Sequence, residues 1–61
     1  MEMNDMDYLK KTLIDTQERV RDFMHYSQNM KDKNLKKFFR SYAESEGYHA
    51  QRLQELIDQT Q

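Results

Sequence analysis

Apolar residues recur at alternating spacings of three and four along most of this 61-residue chain. Such spacing puts them on one stripe of an α-helix and is typical of helices that pack side by side. A polar, turn-forming segment, residues 29–34, interrupts the pattern once. The sequence therefore predicts one all-α domain spanning residues 1–61, with helices over about 5–29 and 32–59. The two stripes hold Met6, Leu9, Leu13, Thr16, Val20, Phe23, Ser27 and Met30, and then Leu35, Phe39, Tyr42, Glu46, His49, Leu53 and Leu56.

The residues at the expected helix ends have capping chemistry. Asn4 or Asp5 is suited to cap the first helix, because a short polar side chain there accepts a free backbone N–H. Asp32 is suited to cap the second helix in the same way. Asn29 is expected to end the first helix in the left-handed conformation, which asparagine tolerates better than most residues.

The short connection makes the two helices antiparallel neighbours in a hairpin. A chain of this length buries little surface, and small domains need disulfides, a metal or a partner. The sequence contains no cysteine, which excludes disulfides. We therefore expect two copies to form a four-helix bundle with two-fold symmetry. A marginal monomer and a permanent place in a larger complex are the alternatives.

Charge and hydropathy exclude several classes of protein. The net charge is −1, with both signs interspersed, which does not favour nucleic-acid binding. No apolar run approaches the roughly 20 residues of a membrane span. The first residues are polar and acidic, unlike a signal peptide. A cytoplasmic protein is the resulting expectation.

Four stripe positions are not hydrophobic. Thr16 and Ser27 are easily accommodated, because a hydroxyl can bond a carbonyl one turn back. Glu46 and His49 instead need compensation, since burying a charged group is costly. They could bind a metal ion together, form a polar network with each other or with Thr16 and Tyr42, or lie exposed. Their mid-helix position argues against exposure.

Two further residues bear on a possible site. His25 lies two or three turns from the level of Glu46 in an antiparallel hairpin, so it is interpreted as a surface residue rather than a ligand. Gly47 stands inside the second helix, where glycine costs roughly 1 kcal/mol relative to alanine. It either admits a close neighbour or lies on the exposed side, and the exposed side is the simpler interpretation.

Residues 35–53 read LKKFFRSYAESEGYHAQRL. This stretch resembles the second helix of the rubrerythrin and ferritin-like superfamily, in which an apolar residue, a Phe and an Ala precede Glu-x-x-His-Ala-x-x-Leu. The resemblance implies a four-helix bundle of two hairpins, which single-hairpin members assemble by dimerisation. It also implies that Glu46 and His49 are iron ligands. In length and rhythm the chain further resembles short two-helix proteins of unknown function from spore-forming bacteria.

The first helix departs from the pattern of that superfamily. The family site also needs a carboxylate from this helix, and an ungapped comparison puts Leu13 at its position. The nearby acids, Asp15 and Glu18, fall outside the stripe. The bridging carboxylate is therefore predicted to be missing, which argues against ferroxidase or peroxidase chemistry.

These observations predict a non-catalytic structural or interaction module that forms a homodimeric four-helix bundle. The alternative is a metal-binding protein that holds iron, manganese or zinc through Glu46 and His49 at the dimer axis. A third possibility is a small regulator whose hairpin docks on a larger protein. No arrangement of residues in the sequence indicates a catalytic nucleophile or a phosphate-binding loop.

Overall fold

The protein folds into two antiparallel α-helices joined by a short loop. The structure, a computed structural model, describes residues 3–60. Helix α1 covers Asp5–Asn29 and helix α2 covers Lys33–Thr60. At about 1.5 Å per residue, the longer helix, α2, is about 42 Å long. This confirms the predicted all-helical hairpin. Within residues 3–60, neither helix is long and apolar enough to cross a membrane.

Reciprocal hydrogen bonds fix the start of α1. The side chain of Asn4 accepts the backbone N–H of Asp7 at 2.9 Å, and the Asp7 carboxylate accepts the backbone N–H of Asn4 at 3.2 Å. This capping box satisfies two backbone donors that the first turn of a helix leaves free. Of the two predicted caps, Asn4 is therefore the one used.

Asp32 caps α2, as predicted. Its Oδ1 atom accepts the backbone N–H groups of Asn34 at 2.8 Å and Leu35 at 3.0 Å. The helix itself begins one residue later, at Lys33. A carboxylate at this position also interacts favourably with the positive end of the helix dipole. The start of α2 is therefore fixed by hydrogen bonds between residues that are close together in the sequence.

The prediction for Asn29 was wrong. No non-glycine residue between positions 3 and 60 has a positive φ, and Asn29 is the last residue of α1. The chain leaves the helix through Met30, which is extended at φ −76° and ψ 145°. The Asn29 side chain instead donates from Nδ2 to the carbonyl oxygen of His25 at 2.8 Å. That bond satisfies a free carbonyl, so a left-handed residue is not needed there.

The hairpin has a small and unusually polar core. The buried apolar residues are Leu13, Ala43 and Ile57, and Thr16 is the largest side chain that is fully enclosed. The molecule measures 43 × 24 × 11 Å. Residues 3–60 form two helices that lie side by side, with no further element over either face. The hairpin is therefore a single layer of helices, whereas stable domains are built from at least two packed layers.

The two sides of this layer differ in chemistry. On one side, aromatic and aliphatic residues of α2 repeat at helical spacing beside aromatic residues of α1, and we call this side the open face. The opposite side carries Lys10, Ile14, Gln28, Lys36, Arg40 and Gln54, and we call it the polar face. The open face consists of Arg19, Phe23, Tyr26, Leu35, Phe38, Tyr42, His49, Leu53 and Leu56.

Gly47 does not admit a close neighbour inside the hairpin. A Cβ atom built on it would meet no heavy atom within 4 Å. Helical spacing puts it on the side of α2 away from the open face. The interpretation that Gly47 lies on the exposed side of α2 therefore agrees with its surroundings in the hairpin.

Candidate functional site

Glu46 lies in the middle of α2 and points between the two helices. Only 8% of the residue is exposed, which confirms that the position faces inward. A carboxylate buried to this degree requires partners, because an unpaired buried charge is strongly unfavourable. Both of its oxygen atoms have one.

The first partner is Arg19 of α1. Its Nε atom donates to Glu46 Oε2 at 2.6 Å, and its Nη2 atom donates to Thr16 Oγ1 at 3.1 Å. Charge-assisted hydrogen bonds of this kind are about twice as strong as neutral ones. Arg19 was not predicted from the sequence, because it lies beside the apolar stripe. Its position one turn from Thr16, which faces Glu46 across the hairpin, was the available signal.

The second partner is His49, whose Nδ1 atom lies 2.8 Å from Glu46 Oε1. An ionised carboxylate only accepts hydrogen bonds, so Nδ1 carries the hydrogen and Nε2 is left free. The His49 side chain is 69% exposed. The expectation that it faces the interior was therefore wrong for the single hairpin. One neighbouring helix covers only one side of α2, and His49 lies on the side that remains uncovered, the open face.

The result is a polar layer of Thr16, Arg19, Glu46 and His49 across the middle of the hairpin. It matches the polar network that the sequence analysis considered, with Thr16 joined through Arg19. No hydrogen bond connects Tyr42 to the layer in the described part of the chain. Within residues 3–60, no buried side-chain nitrogen or oxygen lacks a partner. The layer is therefore internally satisfied.

The partners stabilise the ionised form of Glu46. The hydrogen bond from His49, followed by that from Arg19, lowers the pKa of the Glu46 carboxyl below its ordinary value of 4.5. Burial opposes this effect but does not outweigh it. The bond to Glu46 correspondingly raises the pKa of the Arg19 guanidinium. Both groups are thus charged at neutral pH.

The lowered pKa of Glu46 makes stability depend on acidity. Because the folded state holds this carboxyl at a lower pKa than the unfolded chain, the resulting stabilisation is complete above pH 4.5. It is lost as the pH falls through the folded-state pKa. We expect Glu46→Gln to be less stable than the parent at pH 7, and the gap to shrink below pH 4.5.

Urea unfolding followed by circular dichroism across this pH range measures the gap. Glu18→Gln, which removes one negative charge from the exposed surface of α1, is the control for the change in net charge. A gap that stays constant from neutral to acid pH would show that the ionised Glu46 carboxylate does not contribute to stability.

A recess of about 350 Å³ opens beside the polar layer on the open face. It extends from the layer toward the ends of the helices that are remote from the loop. Its walls are threonines of α1 and leucines of α2, and Arg19 and His49 border it. The lining residues are Thr12, Thr16, Arg19, Glu46, His49, Arg52, Leu53 and Leu56.

The residues do not fit a carboxylate-bridged pair of metal ions. Glu46 already shares its negative charge with Arg19, which a divalent ion would have to displace. Leu13 is buried at the position where the ferritin-like resemblance requires a carboxylate. Asp15 pairs with Lys11 at 2.7 Å, and Glu18 is exposed. Across residues 3–60, no group of three or more His, Asp or Glu side chains is arranged to hold a metal ion.

His25 does not join the layer. It is exposed near the end of α1, where its carbonyl accepts the Asn29 side chain. This agrees with its interpretation as a surface histidine.

Comparison with family models, with curated proteins and with solved structures finds no match to this chain. The resemblance to the ferritin-like superfamily therefore stays a prediction.

Proposed function

We propose that this protein is a non-catalytic structural or interaction module that works as a homodimeric four-helix bundle. The observation that carries the proposal is that the hairpin is one layer, since residues 3–60 form two helices side by side with no further element over the open face. One layer leaves one face of each amphipathic helix without cover. A second copy laid on the open face supplies the missing layer.

The exposed apolar side chains support this proposal. Tyr26, Leu35, Phe38 and Tyr42 are all exposed on the open face, and Phe38 is 56% exposed. The rings of Tyr26, Phe38 and Tyr42 adjoin Phe23 and Phe39 through aromatic contacts with ring centres 4.8–6.1 Å apart. A contiguous apolar patch of this kind on a small protein marks an interaction surface.

The total surface of the chain supports it as well. The hairpin exposes 5114 Å², whereas a compact monomer of 7.5 kDa exposes about 4,200 Å². The excess of about a fifth means that the chain buries less surface than an ordinary domain of its mass. A partner that covers the open face would remove this excess of exposed surface.

The polar layer lies where a two-fold dimer brings like residues together. Arg19 and Glu46 are near the midpoints of α1 and α2. A two-fold axis through the centre of the open face superposes the middle of one copy on the middle of the other, whether it runs along or across the helices. Arg19 and His49, which are exposed in the single hairpin, then lie in the interface. Arg19 and Glu46 of each copy carry opposite charges, which offset one another within the copy.

A dimer makes thermal stability depend on protein concentration. Since unfolding then releases two chains from one folded unit, the Tm rises with concentration by mass action. We expect the Tm to increase steadily between micromolar and millimolar protein, as followed by circular dichroism. A Tm that is independent of concentration would indicate a folded monomer and contradict the proposal.

Metal binding is the second candidate function, because Glu46 and His49 are in contact and two copies would bring two such pairs to the axis. Arg19 opposes it by supplying a positive charge that is part of the chain. We expect protein purified without chelator to contain less than stoichiometric iron, manganese or zinc, and to melt at the same temperature with and without EDTA. Stoichiometric metal that is lost in Glu46→Ala would favour the metal site instead.

A further inference from the structure

The open face has two unlike halves. Aromatic side chains project from the half near the loop, and Phe38 and Tyr42 are exposed there. The half near the free helix ends contains the recess between Thr12 and Leu53. One half therefore protrudes and the other is hollow, and the polar layer lies between them.

Two symmetric pairings of this face are possible. A two-fold axis parallel to the helices puts both loops at the same end, so that aromatic rings meet aromatic rings and recess meets recess. An axis perpendicular to the helices puts the loops at opposite ends, so that the rings of each copy enter the recess of the other. Only the second pairing fills the hollow twice, and interiors are packed without large voids.

Charge favours the same pairing. The loop end, residues 31–40, contains five basic residues and one acid. At the free ends, residues 3–9 and 53–60 contain four acids and no base. Loops at the same end would bring two basic regions together, whereas loops at opposite ends place each basic region near an acidic one. Such long-range complementarity sets orientation more than affinity.

We propose that two copies dock through their open faces with the loops at opposite ends, each copy placing Phe38 and Tyr42 in the recess of the other. This rests on the proposed homodimer and specifies its arrangement. Leu53 and Leu56 become the apolar floor on which the aromatic rings pack. The protruding half and the recess are each incomplete without the second copy, so the interface is isologous.

Intersubunit distances between spin labels test the arrangement. The chain has no cysteine, so Lys33→Cys introduces a single labelling position next to the loop and off the open face. With the loops at opposite ends, we expect a distance of about 40 Å, close to the 43 Å long axis of the hairpin. Loops at the same end would give about 20 Å, the span of two packed helices, and would overturn the proposal.

Gln17→Cys is the matched control. Gln17 is exposed at the middle of α1. The two arrangements therefore give similar distances between its labels, and both are shorter than the Lys33 distance expected for loops at opposite ends. If Gln17→Cys gives an intersubunit distance and the distance measured with Lys33→Cys is about 20 Å, the arrangement is refuted but the dimer is retained. If neither label gives an intersubunit distance and the protein has the mass of one chain, the proposed function is refuted. An open face held by a different protein would give that second outcome.

Discussion

Phe38→Glu is expected to abolish the dimer. In an isolated hairpin Phe38 is 56% exposed, and a surface substitution there would change stability by less than about 0.5 kcal/mol. In the proposed bundle the same position is in the recess of the other copy, where a carboxylate loses the packing of the ring on Leu53 and Leu56 and is partly desolvated. The dimer contains the substitution twice, and a total penalty of about 3 kcal/mol for the two sites together raises the dissociation constant about 100-fold. Because the hairpin has little core of its own, helicity should fall as well.

Tyr48→Glu is the matched control for this experiment. It replaces another aromatic residue of α2 by the same carboxylate, but Tyr48 is 73% exposed and lies away from the open face. We expect its mass in solution and its Tm to equal those of the parent. Size-exclusion chromatography with light scattering, combined with thermal unfolding, measures both. Equal behaviour of Phe38→Glu and Tyr48→Glu would mean that the open face is not an interface.

Glu46→Ala is expected to have the second largest effect. It leaves Arg19 and His49 without their acceptor and opens a cavity in the middle of the hairpin. Loss of a buried carboxylate from its pair should cost about 2 kcal/mol even in the single hairpin, where Arg19 can turn toward water. For a domain of this size that corresponds to a fall in Tm of about 10 °C.

The double variant Arg19→Met with Glu46→Leu separates pairing from burial. It replaces the ion pair by apolar side chains of similar length, a change that often preserves or raises stability. We expect it to recover most of the stability that Glu46→Ala loses, since neither Arg19 nor Glu46 then leaves an unpaired charge behind. Chemical denaturation measures both variants. If the double variant were as unstable as Glu46→Ala, the effect would come from lost packing rather than from an unpaired charge.

Local sequence chemistry was sufficient to predict the hairpin. The heptad spacing gives the two helices, and the caps at Asn4 and Asp32 act within three residues of their own position. Asn29 was assigned the wrong conformation for an equally local reason. Its side chain has two ways to help end a helix, and composition does not distinguish a left-handed backbone from a bond to the carbonyl one turn back.

The polar layer could be predicted only in part. Heptad position identifies Glu46 as buried, because the stripe of α2 must face α1. It does not distinguish His49, which lies on the same stripe but on its uncovered edge. Arg19 was missed because a long side chain can reach the interior from a position outside the stripe. Its pairing with Glu46 depends on how the two helices align, which spacing within one helix does not fix.

Sedimentation equilibrium on the unmodified protein tests the central claim most directly. If two hairpins form one bundle through their open faces, the mass at high concentration is twice the 7.5 kDa of the chain. On dilution it should fall toward the chain mass, with a simultaneous loss of helicity. A mass of 7.5 kDa at every concentration, with helicity unchanged, would contradict the claim and show that the single layer is stable alone.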